Sequence, residues 1–225
     1  MAVKILSTCS SRGRPGRCKE MIDSFVTTRR EDTRLFIYVD IADERIIEYM
    51  QLQQSLPPGV EMEIGEHKNL VEVLNYGPSI NLGMDYFHEV NDDHIFRTVG
   101  WDTKLAAALD GKIGISYPRL EHLPSSIMMS GELLRRIGFF AFPAFTHSWV
   151  DNFFKELGED IGCMVHVPDV WIEHCHWSFG KVPMDSVYEK VVAEQNGPAN
   201  LAAYHEWQSQ RKEIVRRALA KWIIE

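Results

Sequence analysis

The densest group of polar residues in the sequence is the run Asn91, Asp92, Asp93 and His94. Adjacent carboxylates repel each other, so such a pair is tolerated mainly where a cation or solvent relieves the repulsion. Oxygen ligands suit Mg²⁺ or Mn²⁺, and these ions in turn suit diphosphate substrates. The run therefore predicts either an acidic turn or a metal site that serves a diphosphate.

A second cluster lies later in the chain, where Glu173, His174 and His176 precede Lys181. Side chains alternate along an extended segment, so the two histidines point to the same side. Two histidines on one side can share a metal or line one pocket. Zinc is one candidate, but the CxxC or HExxH spacing that would make it specific is absent from the sequence.

Three further groups follow predicted strands or begin a predicted helix. The segment 10–15 (SSRGRP) combines hydroxyls, arginines and a glycine ahead of a helix, which indicates a phosphate cradle or a solvated turn. Asp40 ends a strand and could accept hydrogen bonds from a base or ribose, or simply serve a turn. His147 and Asp151 are four residues apart on a predicted helix, where one of them could serve as a general base. Of the tryptophans, Trp101 is expected near a ligand, beside an aspartate.

The elements that must position these groups alternate between strand and helix patterns. Periodicity predicts strands at 3–8, 35–39, 60–64, 112–117, 126–130, 163–167 and 170–174. It predicts helices that begin near 15, after Asp43 and after 198, and others at 70–75, 79–85, 101–109, 131–137 and 147–157. The helix after Asp43 carries Ile46, Ile47 and Met50 on one side. The helix after 198 is expected to bury Ile214, Leu219 and Ile223. The segment 86–90 is ambiguous. This alternation predicts a three-layer α/β/α fold with a mostly parallel sheet, plus a C-terminal helix. Such sheets bind ligands at the carboxyl ends of their strands.

Composition excludes several other classes of protein. The 225 residues are 45% apolar and 25% charged, which is typical of one globular domain and excludes disorder, collagen and coiled coil. The net charge of −8 argues against a general polyanion binder. The four cysteines show no CxxC spacing, no apolar run approaches ~20 residues, and the amino terminus does not resemble a signal peptide. We therefore expect a cytoplasmic protein with reduced thiols and no membrane span.

Taken together, these motifs resemble the GT-A glycosyltransferases, especially small family-2-like members of bacteria and their phages. The resemblance is carried by the opening strand with SSRGRP, the strand ending at Asp40, NDDH with RTVGWD, HSWVDNFF and PDVWIEHCHWSFGK, in that order. It covers residues from about 3 to 188 and favours a strand at 86–90. It implies a catalytic domain over 1–190, with 191–225 as a helical extension packing on the same domain.

The resemblance also implies roles for individual residues. The donor would be a nucleotide diphosphate sugar, the cofactor Mn²⁺ or Mg²⁺, and the transfer inverting, with Asp151 as the catalytic base. Asp93 and His176 would bind the metal. Asn91 stands where many family members have Asp. The residues implied to contact the nucleotide sugar are Ser10, Arg12, Arg14, Asp40, Asn91, Asp92, Trp101 and Lys181.

Other functions remain compatible with these residues. The alternatives are a nucleotidyltransferase on a related sheet, a non-catalytic nucleotide-sugar-binding module and a zinc hydrolase built on His174, His176 and Glu173. Asn91 is the feature that leaves open a module that kept the fold and lost turnover. The acceptor is open among a glycan, a small molecule, a protein and a hydroxymethylated base in phage DNA. The sequence leaves the oligomeric state undetermined.

Overall fold

The computed structural model describes residues 3–30, 32–119, 123–195 and 197–220. Its strands are β1 (Lys4–Ser11), β2 (Asp32–Asp40), β3 (Val60–Gly65), β4 (Tyr86–Glu89), β5 (His94–Phe96), β6 (Ile115–Pro118), β7 (Met128–Ser130), β8 (Met164–Val167) and β9 (Ile172–His174). Its α-helices are α1 (Pro15–Thr28), α2 (Ile46–Gln53), α3 (Leu70–Ser79), α4 (Trp101–Leu109), α5 (Gly131–Ile137), α6 (Val150–Asp160), α7 (Ser186–Gln195) and α8 (Pro198–Leu219). No helix in these ranges is both long enough and apolar enough to cross a bilayer.

Seven of the strands form one mixed, mostly parallel sheet in the order β3-β2-β1-β4-β7-β6-β8. The pairs among β3, β2, β1 and β4 are parallel, as is the pair of β6 with β8, whereas β7 runs antiparallel to both of its neighbours. The strands β5 and β9 form a separate antiparallel pair. The ends of β2, β1 and β4 therefore meet at one edge, where the sequence predicts ligand binding.

The apolar side chains form two cores, one on each face of the sheet. On one face α1 and α4 supply Phe25 and Trp101, and on the other α6 and α8 supply Phe153 and Trp207. This arrangement confirms the predicted three-layer α/β/α architecture. It arises because neighbouring residues of the central strand β1 point to opposite faces, so both faces must be covered.

Several predicted elements differ from the observed ones. Strand β1 continues to Ser11, so the predicted loop is shorter, and residues 80–85 form turns and no helix. In α2 the buried side chain is Tyr49, whereas Ile47 and Met50 are exposed. The ambiguous segment 86–89 is strand β4, as the resemblance favoured. The elements β5 and α7 were not predicted from periodicity, because β5 is only three residues long and Tyr188 is the one buried residue among the side chains of α7 that the structure describes.

The C-terminal helix α8 is joined to α6 by both apolar and polar contacts. Trp207 is fully buried and packs edge-on against Phe153 at 4.8 Å between ring centroids. Its indole nitrogen donates to Glu156 at 2.7 Å, and Tyr204 donates to the same carboxylate at 2.8 Å. The predicted buried face is correct at Ile214 and wrong at Leu219, which is 54% exposed. Ile223 lies outside the described residues.

We expect Trp207→Ala to lower the free energy of unfolding by about 3–5 kcal/mol, because it removes a buried aromatic ring and a hydrogen bond to Glu156. Chemical denaturation of the full chain measures this change. Leu219→Ala on the same helix is the matched control and should change stability by less than about 0.5 kcal/mol. Equal effects of the two substitutions would contradict the packing of α8 described above.

Candidate active site

Two buried aspartates follow β4 at the carboxyl edge of the sheet. Asp92 accepts a hydrogen bond from Ser11 at the end of β1 at 2.8 Å, and Arg14 Nη1 lies 3.6 Å from its other oxygen. Burial, together with the charge of Asp93, raises the pKa of Asp92 to about 6, although Arg14 opposes the shift. Tyr49 bonds Ser11 at 2.7 Å and so fixes the hydroxyl that holds Asp92.

Asp93 converges with His94 and His174. Donor atoms of these three side chains all lie within 4.8 Å of one another, which makes them the one candidate metal group found among the described residues. Tyr188 donates to Asp93 Oδ2 at 2.7 Å. Asp93 Oδ1 lies 3.3 Å from His174 Nε2 but is buried without a well-formed hydrogen bond. One carboxylate oxygen thus has a fixed partner, and the other faces the histidines.

The pairing of β5 with β9 brings the two histidines together. His94 lies opposite His174 in the strand register, and their rings meet edge-on at 4.8 Å. Burial lowers the pKa of His94 to about 3, and neighbouring His174 adds to this shift. Burial also disfavours the charged form of His174, but Asp93 outweighs it and the pKa of His174 is raised. His174 is therefore the more basic ring of the pair.

Asp151 lies in the first turn of α6 and faces the same cluster. Burial raises its pKa to about 6, with the charge of His174 opposing the shift. Glu89 at the end of β4 is buried, accepts from the Ser126 backbone at 2.7 Å, and has its pKa raised to about 7 by burial and by Asp151. His147 precedes α6. The prediction that it shares a helix face with Asp151 is therefore wrong.

The residue before α6 has an unusual backbone conformation. Trp149 has φ +73°, a left-handed value that is strained for a bulky side chain. It stacks on Tyr204 of α8 at 4.4 Å between ring centroids, which helps to hold this conformation. The turn that presents Asp151 is therefore held by a contact from the C-terminal helix.

Asp40 and Arg12 lie at the ends of β2 and β1. Asp40 bonds His67 at 2.7 Å and accepts from the Ala42 backbone at 2.8 Å. Desolvation alone would raise the pKa of Asp40, but the Ala42 hydrogen bond, His67 and Arg12 outweigh it and lower the pKa. Arg12 is exposed, and Ser10 is partly exposed on β1 opposite Tyr38. Arg12 and Ser10 are therefore open to a ligand at the sheet edge, whereas Asp40 is mostly buried.

The remaining predicted site residues lie in different surroundings. Arg14 is buried against Asp185 rather than open to solvent. Lys181 pairs with Glu173 at 3.3 Å. The partly exposed Asn91 donates its backbone N–H to His94 Nδ1 at 3.2 Å.

The prediction of a ligand contact for Trp101 is not supported by its position. Trp101 is fully buried and packs on Phe96 at 4.7 Å and on His88 at 4.6 Å between ring centroids. It has no surface to offer a ligand. Its neighbour Asp102 accepts a hydrogen bond from Thr33 at 2.8 Å and joins α4 to β2. Trp101 is therefore a packing residue of the core, and its position next to an aspartate in the sequence did not indicate a ligand site.

The predicted metal ligand His176 lies beside the cluster but outside the group of three donors. Its Nδ1 is hydrogen-bonded to the hydroxyl of Ser178 at 2.7 Å and accepts the Ser178 backbone N–H at 3.2 Å. Its ring centroid is 5.1 Å from that of His174 and 4.5 Å from that of Tyr188. A role for His176 as a ligand stays a prediction.

Sequence reasoning assigned no individual role to five residues that the structure brings to this site. His94 lay within the acidic run and could have been included on that ground, and Ser11 lay beside Ser10. Glu89 required knowing that 86–89 is a strand. Asp185 and Tyr188 had no local signal, because each acts only through a partner far away in sequence. The five are Ser11, Glu89, His94, Asp185 and Tyr188.

No protein-family model matches the sequence, and no curated protein sequence matches it. Solved structures do match the fold. A mannosyltransferase, PcManGT from Pyrobaculum calidifontis in complex with GDP-Man and Mn²⁺, aligns with a TM-score of 0.58 and 10% identity over 94% of this chain and 75% of that one. TarS 1-349 from S. aureus in complex with UDP aligns with a TM-score of 0.57 and 9% identity over 76% of this chain and 59% of that one. The fold is that of the GT-A glycosyltransferases.

The alignment with the longer TarS structure shows the difference in size. It covers 98% of this chain but 50% of that one, with a TM-score of 0.57 and 9% identity. This chain thus spans about half of the longer structure. At this identity the likeness is one of fold.

We expect the Asp40 carboxylate to stabilise the fold in a pH-dependent way. Because its pKa is lowered in the folded chain, its contribution is present above the ordinary aspartate pKa of about 3.9 and is lost as pH falls through the folded value. Asp40→Asn should lower the free energy of unfolding at pH 7 by about 1–2 kcal/mol. Urea denaturation at a series of pH values should show this difference shrinking below about pH 4.

The exposed Asp23 offers the control for this measurement. Its side chain is 60% exposed, so Asp23→Asn should change stability by less than about 0.5 kcal/mol at every pH. If Asp40→Asn lowered the free energy of unfolding by the same amount from pH 7 to pH 3, the role given to the carboxylate charge would be contradicted.

Proposed function

We propose that the chain is a metal-dependent, inverting glycosyltransferase that takes a nucleotide diphosphate sugar as its donor. The observation that carries the proposal is the meeting of Asp93, His174 and Asp151 at the carboxyl edge of a GT-A sheet. A carboxylate and an imidazole can hold a divalent cation, and a second carboxylate beside them can take a proton. The Mn²⁺ and GDP-Man in the mannosyltransferase structure support the same chemistry for this fold.

The residues around Asp93 fit a divalent cation. Asp93 Oδ1 is buried, faces His174 and has no well-formed hydrogen bond, which is an arrangement that a cation would satisfy. Oxygen and imidazole donors suit Mn²⁺ and are compatible with Mg²⁺. When bound, such a cation would neutralise charge on the departing diphosphate.

The hydrogen bonds of the histidines support His174 as the imidazole ligand. Both His94 and His176 accept a backbone N–H at Nδ1, so their neutral rings carry the proton on Nε2 and have no second lone pair free. His174 Nε2 faces Asp93, and a cation bound there would displace the Nε2 proton to solvent. We therefore propose Asp93 and His174 as ligands, in place of the predicted pair Asp93 and His176.

The donor would lie along the edge formed by β1, β2 and β4. Arg12 and Ser10 are exposed or partly exposed beside Asp40, so they can contact a nucleotide there. Asn91 is partly exposed between these strands and the acidic pair. Lys181 would have to leave its ion pair with Glu173 before it could contact the diphosphate. Asp92, which contacts Ser11 and Arg14, would stabilise the site from the protein interior.

Asp151 would act as the general base. With a pKa of about 6 it is mostly deprotonated at neutral pH, yet basic enough to accept a proton. It would take the proton of the acceptor hydroxyl while that oxygen attacks the anomeric carbon. The bond from that carbon to the diphosphate oxygen breaks in the same step, which inverts the configuration.

The donor is identified by calorimetry with UDP, GDP, CDP and ADP and their sugar conjugates, each titrated with Mn²⁺ and again with EDTA. We expect one nucleotide family to bind in the micromolar range and only with the metal. Sugar transfer to a glycan, a small molecule, a protein or a hydroxymethylated DNA base is then assayed with that donor. Nucleotide binding without turnover on any acceptor would favour a non-catalytic module, and release of pyrophosphate from a triphosphate would favour a nucleotidyltransferase.

The ligand assignment predicts different effects for two histidines two residues apart. Asp93→Ala and His174→Ala should each weaken Mn²⁺ binding by more than about 100-fold, the upper range for losing an outer partner alone. His176→Ala is the matched control and should leave the Mn²⁺ dissociation constant within about threefold of wild type. Calorimetric titration of the metal measures all three. Loss of Mn²⁺ binding in His176→Ala with retention in His174→Ala would restore the sequence-based assignment.

The base assignment predicts that Asp151→Asn keeps donor binding and loses transfer. The amide preserves the shape of the side chain but cannot accept the proton, so the rate should fall about 10²–10⁴-fold. Steady-state kinetics with the identified donor, together with calorimetry, separate the two effects. Asp160→Asn at the other end of α6 should retain the wild-type rate. Wild-type turnover in Asp151→Asn would remove Asp151 from this role.

A further inference from the structure

The start of helix α7 folds back onto the acidic pair. Asp185 and Tyr188 come after the last strand, yet they contact Arg14 and Asp93 near the centre of the site. Tyr188 is buried, although the rest of α7 is largely exposed. The resemblance described for the sequence assigns no role to either residue. The contacts of this segment are therefore unexplained by the donor and base assignments.

The phenol of Tyr188 orients the carboxylate of Asp93. It donates to Oδ2 at 2.7 Å and also lies 3.5 Å from the Cys175 carbonyl oxygen. This leaves Oδ1 directed at His174, 3.3 Å away. Ligating carboxylates are commonly held in this way by a donor on the oxygen that does not face the metal.

Arg14 in turn holds Tyr188. Its guanidinium lies 3.7 Å above the centroid of the Tyr188 ring, a distance typical of a cation–π contact. The same guanidinium donates to both oxygens of Asp185 at 2.9 and 2.6 Å, in the bidentate geometry that restricts an arginine most strongly. Its third nitrogen, Nη1, reaches Asp92 at 3.6 Å.

We propose that Tyr188 is the positioning residue for the metal-binding carboxylate of Asp93, and that Arg14 and Asp185 clamp α7 so that the phenol stays in place. This inference rests on the proposed function, because it assumes that Asp93 binds a cation. Arg14, predicted from the sequence to contact the donor, then acts through protein partners. Its side chain is 8% exposed and its guanidinium nitrogens face Asp185 and Asp92, which leaves little of the group for a phosphate.

The phenol does not block the cation in this arrangement. An ionised carboxylate offers about four lone pairs on its two oxygens, and Tyr188 uses one of them on Oδ2. Oδ1 keeps both of its own. The docking of α7 therefore completes the site, and a chain in which α7 is displaced would keep its sheet and lose affinity for the metal.

Tyr188→Phe tests the inference by removing one hydroxyl and keeping the ring under Arg14. The Mn²⁺ dissociation constant of the full chain, measured by calorimetry, should rise about 10–100-fold, the range for losing an outer partner of a metal ligand. Nucleotide affinity at saturating Mn²⁺ and the thermal midpoint should stay at wild-type values, which separates positioning from general loss of structure. An unchanged Mn²⁺ dissociation constant would overturn the inference.

Tyr204→Phe is the matched control. Tyr204 also donates its phenol to a carboxylate, at 2.8 Å, but that carboxylate is Glu156 on α6. The chemical change is the same, and the Mn²⁺ dissociation constant should not move. An equal loss of affinity in both variants would assign the effect to general destabilisation and overturn the inference.

Asp185→Asn tests the clamp independently and serves if Tyr188→Phe does not fold. The Asp185 side chain is 31% exposed, and the substitution weakens its bidentate pair with Arg14. Mn²⁺ binding should weaken by a smaller factor than in Tyr188→Phe, and wild-type affinity would overturn the clamp. Wild-type protein that bound no Mn²⁺ would instead refute the metal assignment itself, and the inference with it.

Discussion

The burial of two adjacent carboxylates is the constraint on which the rest of the site depends. Asp92 and Asp93 are both nearly inaccessible to solvent, and unpaired buried charges cost several kcal/mol each. The structure gives the two residues separate partners. Ser11 and Arg14 serve Asp92, while Tyr188 and His174 serve Asp93. Burial and the charge of Asp93 raise the pKa of Asp92 to about 6 in spite of its partners, whereas His174 and Tyr188 lower the pKa of Asp93 in spite of its burial.

These partners come from distant parts of the chain, which makes the site a product of the complete fold. Ser11 ends the first strand, His174 lies on the last, and Tyr188 comes from a helix beyond it. The β5–β9 pair aligns His174 with His94, and Arg14 connects Asp92 to Asp185 at the start of α7. Even the turn before Asp151 is held from outside, by the stacking of Trp149 on Tyr204 of α8. The late part of the chain therefore contributes to the candidate site as well as to the core.

Much of the architecture was predictable because it depends on local pattern. The helix 101–109 and the helix 131–137 have the bounds that periodicity predicts. The sheet edge was predictable too, since polar residues follow β1, β2 and β4. Prediction was wrong where the environment decides the outcome. Ile47 is apolar yet exposed, because Tyr49 takes the buried position of its helix.

By itself the sequence determined most of the elements, the three-layer class, and the presence of an acidic pair, a late histidine pair and a candidate base. These follow from residue type and spacing, which act over a few neighbouring residues. The tertiary structure alone decided that His174 faces Asp93, that Trp101 lies in the core, and that Arg14 pairs with Asp185. Each of these depends on strand register or on contact between remote segments. Such contacts are selected by burial and by the need to pair buried charges, and neither can be seen in local spacing.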